Sequence, residues 1–151
     1  MRAASIERMT SVALFAADED SVLVRLRLRD AGVATAGAYV MEVQSRAVDL
    51  SELLARSRPD VVIYDYVDSA PRSAHWLAEL RRLCDALGIP CVLTVRDVHD
   101  LHEIGVGWAA CILIRPYDAD MARLAIQEAM RAAADDASTD ADDEERGEAA
   151  A

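Results

Sequence analysis

The chain has 151 residues, of which 53% are apolar, and this length and composition suit a single domain with a two-sided core. Its formal net charge of −11 argues against direct binding to nucleic acid, which is driven largely by cationic side chains. No stretch reaches the roughly 20 apolar residues of a membrane span, and the first ten residues lack an apolar signal-peptide core, so we expect a cytoplasmic protein without membrane contact.

Four short apolar runs, each bounded by acids or turn residues, predict buried strands at residues 11–17, 60–66, 90–95 and 109–114. A weaker run over residues 33–41 predicts a fifth strand. The segments between the runs carry apolar residues at helical spacing. Strands that are apolar throughout need cover on both faces, and alternation with helices implies parallel crossovers. The sequence therefore predicts an open, doubly wound α/β sheet.

The segment from Ser21 to Asp30 allows two interpretations. Its leucines and valines alternate with arginines, as in a half-exposed strand of a β-hairpin. Leucine and arginine are also good helix formers, and the acids at residues 18–20 suit a helix N-terminus. We favour the helix and leave the hairpin open.

Polar residues cluster where the predicted strands end. Acids at residues 18–20 follow the first strand, Asp65 ends the strand at 60–66, Thr94 lies near the end of the next, and Arg115 follows the last. In an open parallel sheet, functional sites form outside the carboxyl ends of the strands. Acids can hold Mg²⁺, and a hydroxyl and a guanidinium can bind the oxygens of a phosphoryl group on Asp65.

Three motifs resemble those of response-regulator receiver domains. PDVVIYD (59–65), PCVLT (90–94) and ILIRPYD (112–118) are similar to the receiver patterns PDLVLLD, PVIVLT and YLTKPFD. Their order and spacing are also similar to those of receivers, and the resemblance covers roughly residues 11–133. It predicts a flavodoxin-like, three-layer fold with a five-stranded parallel sheet in the order 2-1-3-4-5.

The resemblance also implies roles for individual residues. Asp65 is the expected phospho-acceptor, Thr94 the switch hydroxyl, and Arg115 occupies the place of a lysine. A weakly held Mg²⁺ is the expected cofactor, with Asp18, Glu19 and Asp65 as its ligands. The peptide bond between Arg115 and Pro116 is expected to be cis.

The sequence departs from the receiver pattern after the first strand. Receivers place two adjacent acids there, and in one register this pair falls on Ala16 and Ala17, which leaves only Asp18 nearby. In the other register Asp18 and Glu19 or Asp20 supply the carboxylates, and the first helix is shorter. The sequence does not choose between these registers.

Two further departures concern the last motif. Arginine at position 115 keeps the positive charge of lysine but changes its reach and shape. All 16 basic residues of the chain are arginines, so compositional drift explains this exchange equally well. The aromatic residue expected three positions earlier is Ile112, which puts in doubt a switch based on rotation of an aromatic ring.

Two functions follow from these residues. The first is a single-domain response regulator that accepts phosphate on Asp65 from a sensor histidine kinase or phosphotransfer protein and signals to a downstream protein partner or as a homodimer. The alternative is a pseudo-receiver, a protein-binding adapter that does not depend on phosphorylation. Both are signalling roles. An enzyme or small-ligand protein on a flavodoxin-like fold is the less favoured third hypothesis, because fold alone does not give function and no cofactor motif is visible.

The predicted division of the chain is an N-terminal extension at residues 1–10, a receiver-like domain at 11–134 and a tail at 135–151. The tail contains eight acids against one basic residue, Arg146. It has no apolar side chain larger than alanine, so it cannot bury enough surface to offset its ordering entropy. We therefore predict an acidic, disordered tail.

Overall fold

The fold was analysed in a computed structural model, which describes residues 10–67, 73–104 and 106–150, without the side chains of residues 103, 104, 106 and 137–150. The predicted N-terminal extension lies almost wholly outside the described residues. Strands and helices alternate along the chain in the order β1 (Ser11–Ala16), α1 (Glu19–Asp30), β2 (Ala34–Tyr39), α2 (Val40–Gln44), α3 (Leu50–Ser57), β3 (Val61–Asp65), α4 (Ser73–Leu87), β4 (Cys91–Val95), α5 (His99–Ile104), a 3₁₀ turn (Val106–Trp108), β5 (Cys111–Ile114) and α6 (Ala119–Ala150).

The five strands form one parallel sheet in the order β2-β1-β3-β4-β5. Buried side chains of α2, α3 and α4 pack on one face, and those of α1 and α6 pack on the other. The predicted flavodoxin-like, three-layer fold with strand order 2-1-3-4-5 is therefore confirmed. The central strands β3 and β4 are buried along their whole length, as their apolar sequences predict.

The segment with two interpretations is the helix α1. Asp18 caps it, because its Oδ1 accepts a hydrogen bond from the Ser21 N–H at 3.1 Å. Ser21, Val24 and Leu28 are buried, at the spacing that places them on one helix face. A helix buries only about every third or fourth residue, so the alternation of leucine and arginine along the sequence does not make this segment a strand.

Gly37 allows β2 to lie close to β1. A Cβ atom at this position would lie 2.0 Å from the carbonyl oxygen of Leu14, its partner in the parallel ladder. It would also lie 3.0 Å from a guanidinium nitrogen of Arg25, whose side chain extends from α1 over the strand. Any other residue at 37 would force the strands apart.

The C-terminal segment differs from the prediction. The backbone of residues 135–150 continues α6 as a helix, where the sequence led us to expect a disordered tail. The physical reason is local: alanine is the best helix former, the acids and Arg146 tolerate a helix, and no proline interrupts the segment. Its division from the domain at residue 134, and its lack of a stabilising role, stay predictions. Within the described residues, no helix is both long and apolar enough to cross a membrane.

Candidate functional site at the carboxyl end of the sheet

Asp65 and Thr94 meet at the ends of two neighbouring strands. Asp65 is the last residue of β3, and the parallel register pairs it with Thr94 of β4. Both residues are fully buried. The Thr94 hydroxyl donates a short hydrogen bond of 2.6 Å to Asp65 Oδ1.

Arg115 reaches the same pair from the residue after β5. Its Nη1 donates to Thr94 Oγ1 at 2.8 Å and to the Thr94 carbonyl at 3.1 Å, and its Nη2 donates to the Tyr66 carbonyl at 2.9 Å. The guanidinium therefore acts on the carboxylate through the hydroxyl, which accepts from Arg115 and donates to Asp65. Each described ion pair joins two side chains of the same helix, α3, α4 or α6, and none of these pairs includes Arg115. The peptide bond before Pro116 is cis, as predicted.

Two donors that the sequence did not identify complete the surroundings of Asp65. The Ala17 backbone N–H donates to Asp65 Oδ2 at 2.8 Å, and the Tyr117 hydroxyl donates to Oδ1 over a longer 3.4 Å. Burial raises the pKa of Tyr117 well above its usual range, and the negative charge of Asp65 adds to this effect, so the phenol stays protonated and available as a donor. Both carboxylate oxygens are therefore occupied by protein donors.

The residues at the end of β1 carry no carboxylate. The strand ends at Ala16, and Ala17 follows it. The first acid, Asp18, is the N-cap of α1, and Glu19 and Asp20 are exposed in its first turn. Among the described side chains, no three of histidine, cysteine, aspartate or glutamate are grouped to hold a metal ion.

The structure therefore does not bring Asp18, Glu19 and Asp65 together as a Mg²⁺ site. The acid nearest to the strand end, Asp18, accepts a hydrogen bond from the α1 backbone through its Oδ1. Mg²⁺ requires several oxygen ligands around one point, and the side chains of Ala16 and Ala17 at the end of β1 are only methyl groups. The residues present do not fit this ion in the described conformation.

A cleft of about 400 Å³ lies above this network, lined by Ala17, Asp18, Asp20, Ser21, Val67, Arg96, Arg115, Pro116 and Tyr117. Asp65 is not part of its wall. A molecule in the cleft would meet Tyr117 and Arg115 before it could reach the carboxylate. The site is arranged to hold Asp65 in place rather than to expose it.

The two donors missed from the sequence differ in how they could have been found. Ala17 contributes a backbone N–H, which no side-chain pattern reveals. Tyr117 follows Pro116 at the position where the receiver pattern YLTKPFD has phenylalanine. The added hydroxyl at an otherwise apolar position was a signal, because a buried tyrosine hydroxyl needs a hydrogen-bond partner.

Comparisons with known proteins support the fold. No protein-family model matches the chain, and no curated protein matches it in sequence. The signal receiver domain of a modulated diguanylate cyclase from Desulfovibrio desulfuricans G20 matches with a TM-score of 0.64 at 16% identity, over 83% of this chain and 96% of that one. A response regulator from Thermotoga maritima matches with a TM-score of 0.60 at 16% identity, over 82% and 98% of the two chains. A response regulator receiver protein from Sinorhizobium medicae WSM419 gives 0.60 at 17% identity, over 85% and 98%. At these identities the similarity establishes the receiver fold.

Proposed function

We propose that this receiver-fold chain is a signalling adapter that acts through protein contacts and does not require phosphorylation. The observation that carries the proposal is that protein groups enclose the Asp65 carboxylate. The carboxylate is fully buried, and both of its oxygens accept hydrogen bonds from the protein. A carboxylate that attacks a phosphodonor needs a free oxygen and a cation to offset charge, and Ala16 and Ala17 supply no ligands for that cation.

The network has a structural role under this proposal. A buried carboxylate without partners would cost several kcal/mol, and here the three donors around Asp65 offset that cost. Through Thr94 and Arg115 the network ties the ends of β3, β4 and β5 together. Such a site keeps the carboxyl end of the sheet in one state, as a constitutive binding surface requires.

A second candidate is slow phosphate acceptance on Asp65 in a two-component phosphorelay. It is favoured by one observation, the convergence of Asp65, Thr94 and Arg115, the three residues that the receiver resemblance assigns to this chemistry. For this function the Tyr117 hydroxyl would have to leave Asp65. A sensor histidine kinase or a phosphotransfer protein would then be the upstream partner.

The two functions are separated by incubating the protein with acetyl phosphate, with and without Mg²⁺, and measuring the intact mass. The adapter proposal predicts no phosphoryl adduct in either case. The variant with Ala16→Asp and Ala17→Asp is a useful control, because it restores acids beside Asp65 and should gain a Mg²⁺-dependent change in tryptophan fluorescence or mass.

An adduct on the wild type that needs Mg²⁺ and disappears in Asp65→Asn would overturn the adapter proposal in favour of the phosphorelay. For any protein found to bind the wild type, the adapter proposal also requires that the affinity be the same with and without acetyl phosphate and Mg²⁺. Action in the cytoplasm, without direct contact with nucleic acid or membrane, remains part of the expectation from sequence.

A further inference from the structure

The strand β2 forms one edge of the sheet and pairs with β1 alone. The N–H of Ala34 donates to the Thr10 carbonyl at 2.9 Å, so Ala34 and every second residue after it point their backbone groups toward β1. Thr35 and Gly37 therefore direct their N–H and C=O groups outward. At the end of the strand the outward N–H of Tyr39 is capped by Glu42 Oε1 at 2.9 Å.

Within the part of the chain that the structure describes, this edge carries none of the usual protection against added strands. Edge strands are commonly blocked by lysine, proline, a bulge or a covering element. Here residues 34–38 read Ala-Thr-Ala-Gly-Ala, and no described residue pairs with their outer side. The small side chains leave a groove on each face of the strand.

The groove on the α1 face is basic. It measures about 540 Å³ and is lined by the strand, Leu26, Arg25 and Arg29, with no acid in its wall. Among the described residues neither arginine takes part in an ion pair. The absence of a side chain at Gly37 is what lets the Arg25 guanidinium lie over the strand. The net charge of the chain is −11, so a groove with two arginines that have no ion-pair partner among the described side chains is locally opposite in charge to the chain as a whole.

The groove on the opposite face has a different character. It measures about 660 Å³ and lies between β2 and α3, with Val48 and Leu53 in its wall. Its charged side chains already have partners, because Glu52 and Arg56 form an ion pair and Asp49 caps α3. This side offers space for small apolar groups and no unmet charge.

We propose that the outer edge of β2 binds an extended peptide segment of a partner protein, which adds to the sheet as a sixth strand and presents acidic side chains to Arg25 and Arg29. Alternate side chains of a strand point to opposite faces, so the segment would carry acids at every second position and small apolar residues between them. The outward N–H and C=O groups of Thr35 and Gly37 supply the backbone hydrogen bonds.

Charge decides against a second copy of the chain as the occupant. A two-fold pairing of β2 with β2 would place the α1 helices of both copies side by side and bring their unpaired arginines together. Like charges in such a position disfavour the contact. The inference goes beyond the proposed adapter function, because it does not depend on the state of Asp65.

The test uses a blocked, fluorescent peptide of alternating glutamate and valine, titrated with the full chain and followed by fluorescence anisotropy. We expect saturable binding that weakens as salt is added, because exposed charges are screened. A peptide with lysine in place of glutamate should not bind. Two further peptides keep the charges, one N-methylated at the valines and the other at the glutamates. The one whose methylated nitrogens face β2 cannot form the ladder and should bind at least about fivefold more weakly than the unmethylated peptide.

Variants of the protein give the matched comparison. Arg25→Gln with Arg29→Gln should weaken binding by about fivefold or more, the effect of one or two exposed ion pairs. Arg27→Gln is the control, since Arg27 lies on the same helix but not in the groove wall. Thr35→Pro should remove one outward N–H without touching the inner ladder, and its melting curve checks that the fold is retained.

The proposal is overturned if the glutamate peptide shows no binding at millimolar concentration, or if the lysine peptide binds equally well. It is also overturned if the double variant and Arg27→Gln behave alike, or if sedimentation shows a dimer of the chain that Thr35→Pro dissociates. None of these results bears on the phosphodonor experiment, so the two proposals fail separately.

Discussion

Thr94→Val is the sharpest test of the network around Asp65, because valine has nearly the same shape as threonine and lacks only the hydroxyl. The change removes the 2.6 Å bond to Asp65 Oδ1 and the 2.8 Å bond from Arg115. Arg115 keeps two carbonyl acceptors and loses little. Asp65 keeps the Ala17 N–H and only the long contact to Tyr117. The cost therefore falls on a buried carboxylate that loses its best donor, and we expect about 2 kcal/mol.

Urea unfolding followed by circular dichroism measures this loss, and the melting temperature should fall by roughly 4–8 °C. Thr94→Ser, which keeps the hydroxyl and loses one methyl group, should cost less than Thr94→Val. A double-mutant cycle with Asp65→Asn should show clear non-additivity, since the two side chains share one hydrogen bond. If Thr94→Val unfolds at the same urea concentration as the wild type, or if the two changes are additive, the hydroxyl does not stabilise the carboxylate and the reasoning fails.

Three further outcomes follow from the structure. Gly37→Ala should destabilise the fold by about 2 kcal/mol or more in urea unfolding, because its methyl group would meet the Leu14 carbonyl, while Gly107→Ala, which meets nothing within 4 Å, should have little effect. Deleting residues 137–151 should leave the melting temperature nearly unchanged, since they contain no apolar side chain larger than alanine, and a large drop would show that the tail docks. Burial is the main cause that raises the pKa of Tyr64 and Tyr117 in the folded state. The folded state thus holds these protons more tightly than the unfolded state, so stability should be fully present below about pH 10 and fall above it. Tyr117→Phe should make that alkaline loss smaller in melting curves, and an unchanged pH profile would contradict the assignment.

The strands could be predicted from the sequence because their apolar runs are short, β-branched and bounded by turn residues. The helix α1 was harder, since its arginines fall between leucines in a pattern that fits both a helix and a strand. Burial decided the matter, because Ser21 and Val24, three residues apart, are buried on one side while Leu26 is exposed, a pattern that fits a helix and not an alternating strand. The C-terminal segment was predicted to be disordered from its lack of core residues, but its alanines favour a helical backbone even without packing partners.

Within the site, Asp65, Thr94 and Arg115 could be predicted to meet because parallel strands place their carboxyl ends at one edge. The register of the acids could not, because Ala16 and Ala17 fit equally well in a strand or in a turn. In the structure the ladder between β1 and β2 stops at Ala16. The Ala17 N–H donates to Asp65 because of the path of the backbone, and a backbone donor of this kind cannot be predicted from the residue type.

The features that depart from the receiver pattern are consistent with one another. Acids at positions 16 and 17 would add negative charge beside a buried carboxylate, and only a bound cation could offset it. With alanine at both positions that need disappears, and hydrogen-bond donors suffice. The Thr94 hydroxyl, oriented by Arg115, and the Ala17 N–H supply the short bonds to Asp65, and the protonated Tyr117 adds a longer one. Restoring acids alone would therefore destabilise the site unless Mg²⁺ were also bound, which makes the alanines and Tyr117 parts of a single arrangement.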